Sequence, residues 1–415
     1  MHTYHLSFKP RLTAAAMACA LALGLYAGST LAAGLNEAEA LRLGLSRPEF
    51  SELLQSRIGE AEADAIAAGT WTNPTLELGR EKTGTTREST WQLMQPLDVS
   101  GRRSLREDAA RHRIRATESD NLARRNERAV ELRRVFHDLL RQQETVRAVG
   151  SWTARFVTIG TVVDKLARAG EVAGYDRRRL QREQRSAEAK LAASRADLER
   201  SRARLAALIG RDLSEGADKS VDGRLTPDAP PALPSLQARL AARPDLTALS
   251  ARVDAAQADN AAAQRNLPEL SVGIGGKRVD DGVLRNNGNQ VMLAFTLPLF
   301  DRQQAADRRS AAQTMAARAE LGLARQQAAG ELAGLHRQLT QLIAAAERYR
   351  TEAVAPSAEL VRIAETAYRA GESTVLELLD AYKGALDAET TALDLEWKAR
   401  EVRIELDQLT GNHPQ

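Results

Sequence analysis

From Asn36 to about Thr70 apolar positions recur three and four residues apart, which predicts helix, with a stop and restart at Arg47-Pro48 because proline opens a helix well and continues one badly. The period then shortens to two. Between Asn73-Pro74 and Gln95-Pro96, Leu76 and Leu78 alternate with Glu77 and Gly79, and Trp91 and Leu93 flank Gln92; with Thr83-Gly84-Thr85-Thr86 between them, this predicts a β-hairpin with one apolar face. Helical spacing returns without proline from Gly101 to about Ala169, where Leu132, Val135 and Leu139 share a stripe. About 65 residues of helix would reach roughly 100 Å. A second helix follows Gly170 and Gly174 and runs to Leu208-Ile209-Gly210, with Leu191, Leu198 and Leu205 at heptad spacing. Only a few residues join the two, so they are expected to lie antiparallel.

After a linker rich in Pro, Asp and Gly, the order repeats. Arg243-Pro244 answers Arg47-Pro48, Leu267-Pro268-Glu269-Leu270 answers Asn73-Pro74-Thr75-Leu76, Leu297-Pro298-Leu299 answers Gln95-Pro96-Leu97, and Leu409-Thr410-Gly411 answers Leu208-Ile209-Gly210, at offsets from 194 to 202. The second β unit alternates more cleanly, with Leu270, Val272 and Ile274 on one face and Val291, Leu293, Phe295 and Leu297 on one face of its partner. The stretch from Asp280-Asp281-Gly282 to Asn286-Asn287-Gly288-Asn289 is expected to be loop. A helical pattern then runs from about Asp301 to Leu409, broken only at Arg369-Ala370-Gly371-Glu372, which echoes Arg168-Ala169-Gly170-Glu171 in the first half. These breaks are expected to be the tips of two helical hairpins. The last helix carries two stripes, Leu379, Leu386, Leu393 and Leu395, Val402, Leu409, as a helix with a neighbour on either side requires.

The N-terminus has the layout of a secretory signal over residues 1–33, with Lys9 and Arg11, an apolar core from Leu12 to about Tyr26, and small residues up to Ala33. The expected organisation is therefore a signal, a first repeat at 34–210 (strands about 74–98, helical hairpin about 101–210), a linker at 211–234, a second repeat at 235–411 (strands about 268–298, helical hairpin about 301–410) and a tail at 412–415. Composition agrees with a mainly α chain carrying a small β part: aromatics are 4% and helix formers abound. The 58 basic and 55 acidic residues leave a net charge of only +3, and the Arg-rich run from Arg102 to Arg134 is interleaved with acids, which argues against a nucleic-acid partner. The single cysteine, Cys19, lies inside the signal, so a mature chain would have no disulfide.

Four short strands beside four long helices cannot bury a compact core, and four strands are too few to close a barrel, for which the smallest single chains use about eight. Several copies would have to pool their strands. Candidate chemistry is sparse. Gly273-Ile274-Gly275-Gly276-Lys277 lacks the phosphate-loop spacing, and His112, His137, His336 and His413 are scattered. No nucleophile, base and oxyanion set is recognisable, so neither an enzyme nor a metal or cofactor site is expected.

The duplicated order, two strands per repeat and the Gly-containing break in each helical hairpin resemble the TolC-like outer-membrane factors of tripartite efflux systems over essentially the whole mature chain. Asn73-Pro74-Thr75-Leu76, Gln95-Pro96-Leu97-Asp98-Val99-Ser100-Gly101-Arg102-Arg103 and Pro298-Leu299-Phe300-Asp301-Arg302 look like the heavy-metal branch of that family, associated with cobalt-zinc-cadmium exporters. The resemblance implies a homotrimer in outer-membrane lipid: a barrel of twelve pooled strands, continued by an α-helical periplasmic barrel. It implies passage of substrate from an inner-membrane RND-type pump through a periplasmic adaptor, a membrane fusion protein, to the exterior. It also implies that Glu377 and Asp380, just after the second tip, line a constricted periplasmic entrance, and that Arg168, Gly170, Glu171, Arg369, Gly371 and Glu372 dock the adaptor. The expected cargo is heavy-metal cations. Drugs or a secreted polypeptide remain open, as does a pore-less periplasmic scaffold.

Overall fold

A computed structural model describes residues 34–214, 220–265 and 267–411; the expected signal with Cys19, and the C-terminal tail with His413, lie outside them. Strand β1 (Leu35–Asn36) leads into helices α1 (Glu37–Leu45) and α2 (Pro48–Gly69), the hairpin β2 (Thr75–Thr83) and β3 (Thr86–Leu97), and the long helices α3 (Arg102–Arg168) and α4 (Gly174–Ile209). The second half follows as β4 (Val221–Asp222), α5 (Leu233–Leu240), α6 (Pro244–Ala263), β5 (Glu269–Asp280), β6 (Arg285–Thr296), α7 (Gln304–Tyr349), α8 (Ala355–Arg369) and α9 (Val375–Thr410). At 67 residues α3 is about 100 Å long.

Proline sets several helix starts. Pro48, Pro234 and Pro244 each occupy the first turn of their helix, where the missing N–H has no partner to lose. One proline breaks the expected continuity of the last helical hairpin. Pro356 cannot donate to the carbonyl of Glu352, and its ring crowds the preceding turn, so α7 and α8 are separated by a π-helical segment, Arg350–Val354. Arg350, at the head of that segment, bonds Glu396 (2.6 Å) and Glu389 (2.5 Å) on α9.

The linker is more structured than its composition suggested. Within it β4 pairs in parallel with β1, Leu35 opposite Val221, and α5 begins at Leu233, inside the expected linker bounds. Leu35 and Val221 join Leu41, Leu132, Phe136, Leu139, Leu205 and Leu213 in one core cluster. Further along, Leu332, Leu335 and Leu339 of α7 pack with Val402, Leu406 and Leu409 of α9. Both stripes of α9 are thus largely consumed inside one chain, between α3 on one side and α7 and α8 on the other. Helix α2, by contrast, has no buried residue and lies at an edge.

Strands β2, β3, β5 and β6 form one antiparallel sheet in that order, and among the described residues β2 and β6 have no partner on their outer edges. The turn-rich stretch Asn286–Asn289 is not loop: it pairs with Val279–Gly276 of β5, and the turn is confined to Asp281–Leu284. The register places Leu76, Leu78, Trp91, Leu93, Leu270, Val272, Ile274, Val291, Leu293 and Phe295 on a single face. That face is exposed along its length, as are Leu297, Leu299 and Phe300 beyond the strand ends. The Gly273–Lys277 run lies inside β5, where a side chain at Gly276 would collide with the Trp91 ring and one at Gly273 with Met94.

Candidate functional site

The two tips share one construction. After α3, Gly170 N–H bonds the Ala167 carbonyl and Glu171 N–H the Leu166 carbonyl; after α8, Gly371 N–H bonds Tyr368 and Glu372 N–H bonds Ala367. Each is a helix stop that needs a left-handed residue, and the glycines supply it at φ 82° and 75°. Arg168, Gly170, Glu171, Arg369, Gly371 and Glu372 are all exposed. Arg168 turns back onto the Asp164 carbonyl at 3.2 Å, Arg369 lies 4.0 Å from Glu365, and the Glu171 and Glu372 carboxylates have no partner among the described residues.

Below the tips, Val375, Leu378, Leu379 and Tyr382 form the inward stripe of α9. They pack with Trp152, Phe156 and Val163 of α3, Leu180 of α4 and Tyr368 of α8. The Tyr382 ring meets Phe156 edge-on at 5.2 Å, and its hydroxyl donates to Glu365 at 2.8 Å. Burial, reinforced by that carboxylate, pushes the phenol above its ordinary range. This packing fixes the rotation of α9 and leaves Leu376, Glu377 and Asp380 exposed.

The two acidic residues differ in what else they do. Thr374 and Glu377 form a reciprocal cap at the start of α9: Glu377 N–H donates to Thr374 Oγ1 at 3.3 Å, and Thr374 N–H to Glu377 Oε2 at 3.0 Å. Glu377 therefore has a structural duty that motif reading had missed, although Ser-Thr-x-x-Glu was present to show it. The Asp380 carboxylate makes no hydrogen bond or ion pair among the described residues. Lys383, one turn further on, is held by Glu183 of α4 at 2.9 Å and does not neutralise it. At the offset relating Gly170 to Gly371, the first repeat has Asp176 and Arg179 in the places of Glu377 and Asp380. The exposed acidic pair thus belongs to the second tip.

The histidines are dispersed. His137 faces Glu37 at 3.2 Å, His112 lies 3.9 Å from Asp254, and His336 meets the Pro231 carbonyl at 3.0 Å. No group of three or more metal-ligating side chains occurs among the described residues.

Comparison with known proteins gives this architecture a family. Residues 235–412 match the sequence model for outer membrane efflux proteins. The cobalt-zinc-cadmium resistance protein CzcC of Cupriavidus metallidurans is 30% identical over 363 residues, covering 85% of this chain and 84% of that one. Among solved structures, the outer membrane protein VceC from Vibrio cholerae superposes with a TM-score of 0.76 at 18% identity, covering 90% of this chain and 96% of that one. CusC superposes with 0.76 at 18% (91% and 92%), and the outer-membrane channel OprN with 0.75 at 20% (91% and 90%). The chain therefore belongs to the outer membrane efflux protein family, whose members are non-enzymatic outer-membrane channels with a periplasmic helical extension.

Proposed function

We propose that three copies of this chain pool their sheets into a closed barrel and serve as a passive exit duct for heavy-metal cations. The observation that carries this reading is the four-stranded sheet, with an exposed apolar band along one face and, among the described residues, two unpaired edges. In lipid every backbone polar group needs a partner, so such a sheet is stable only when its edges are closed by further strands. A pore-less scaffold would have no use for that face. The metal cargo rests on the resemblance to a cobalt-zinc-cadmium resistance protein, and energy is supplied elsewhere, by a pump reached through an adaptor that docks on the glycine tips.

In a trimer Glu377 and Asp380 would form two stacked acidic rings at the periplasmic entrance, which favour cations electrostatically. The test is ion selectivity in a planar bilayer. Glutamine at 377 preserves the reciprocal cap, so the Glu377→Gln/Asp380→Asn double variant removes charge without fraying α9. It is expected to lower the cation-to-anion permeability ratio by about threefold or more, as loss of two charged rings demands, with single-channel openings retained. A ratio equal to that of the unaltered channel would reject the pore assignment of both residues.

A further inference from the structure

The sheet sorts its charges by face. On the apolar face the four rows from Leu270 to Trp91 are followed, toward the 83–86 and 281–284 turns, by a row of Arg80, Ser89, Arg278 and Asn287. A last row holds Lys82, Arg87, Asp280 and Arg285. Five cations and one carboxylate therefore stand on this side, and all five cations are exposed. The opposite face carries the reverse: Glu77, Glu81, Glu88 and Glu269 with one cation, Lys277, which Glu88 neutralises at 2.5 Å. Among the described residues only Arg285 of the outer five is in an ion pair, with Asp280 at 3.0 Å, while Arg278 bonds the neutral Asn287. The side chains of Arg80, Lys82 and Arg87 make no ion pair or hydrogen bond among the described residues, although the charge of Arg87 is felt by Asp280.

These rows lie at the end of the sheet away from the helices. With the helices periplasmic, they sit where the outer leaflet changes from acyl chains to headgroups. An unneutralised cationic band continuous with a lipid-facing apolar band fits a phosphorylated headgroup above acyl chains, since Arg and Lys bind phosphate oxygens by charge-assisted hydrogen bonds. We infer that Arg80, Lys82, Arg87 and Arg278 form a collar that binds the phosphate groups of the outer-leaflet glycolipid, lipopolysaccharide, and seats the barrel at a defined depth. The inference rests on the proposed barrel.

The test is retention of purified lipid A by the detergent-extracted oligomer, measured by native mass spectrometry with bisphosphorylated and dephosphorylated lipid A. Bisphosphorylated lipid A is expected to bind at least tenfold more tightly. The Arg80→Gln/Arg87→Gln/Arg278→Gln variant should lose most of that preference, and Lys277→Gln, on the other face, should keep it. Equal retention of the two lipids by the unaltered protein, or an undiminished preference in the triple variant, would overturn the collar. So would displacement of lipid A by millimolar inorganic phosphate, which would mark a free-phosphate site. If the triple variant fails to assemble, the two-lipid comparison on the unaltered protein decides alone. A conducting oligomer indifferent to lipid phosphate would refute the collar and leave the channel reading intact.

Discussion

Replacing Arg133 with methionine is expected to destabilise the helical body by about 3–5 kcal/mol, the range for removing one partner from a buried ion pair. The Arg133 side chain is only 4% exposed and joins two segments from opposite ends of the chain, Glu37 of α1 at 2.6 Å and Asp407 of α9 at 3.0 Å. Asp407 retains Arg403 at 2.9 Å and Glu37 retains His137, so the loss is that of a shared clamp rather than of every partner. A helical signal that melts at the same denaturant concentration in the variant would contradict this account. The same cluster predicts sensitivity to acid. Burial works to raise the Glu37 pKa, but the hydrogen bond from His137 and the charge of Arg133 prevail and hold it at about 2. Burial also lowers the pKa of His137, so the ring is kept neutral. Both depressed groups contribute stability that is complete above their unfolded values and is lost as pH falls. Stability should drop first below about 6.5, as unfolded chains take up a proton that His137 refuses, and again between about 4.5 and 2, where Glu37 accounts for about 3 kcal/mol.

The second large effect concerns the sheet. Ile274→Arg places a charge in the middle of the apolar face, opposite Leu93 and Val291, at a cost of about 2–4 kcal/mol per chain near a bilayer midplane, incurred three times in a trimer. Gln92 is one residue away on the opposite face, beside Gly275, and Gln92→Arg should be tolerated. Heat-sensitive oligomer recovered from the outer-membrane fraction should fall sharply for the first variant and remain for the second. Equal tolerance of both would mean that the apolar face does not meet lipid.

Much of this architecture could be read from periodicity, because long helices and two-period strands reveal themselves one segment at a time. The duplicated order, the strands and both glycine tips are local patterns, each carried by its own segment. Pairings between distant segments were not legible. Nothing in Leu35 or Val221 alone indicates a parallel pair, and the Glu37–Arg133–Asp407 clamp joins three segments whose separate spacings carry no trace of it. Asn286–Asn289 read as loop because Asn and Gly favour turns, yet the ladder with β5 satisfies its backbone and overrides that preference. Pro356 is a helix breaker on the face of the sequence, and the π-helical segment before it is the form that break takes in the fold. The stripes on α9 were real, but counting two seams does not say whether the neighbours are helices of the same chain. At the tips, sequence located the acidic pair and missed that Glu377 also caps its own helix.

The claim on which the rest depends is that three chains complete one membrane barrel through the open edges of β2 and β6. Native mass spectrometry of the detergent-extracted complex tests it directly. The account predicts a particle of three chains that dissociates to single chains on heating. Extraction without detergent as a particle of one chain would contradict it.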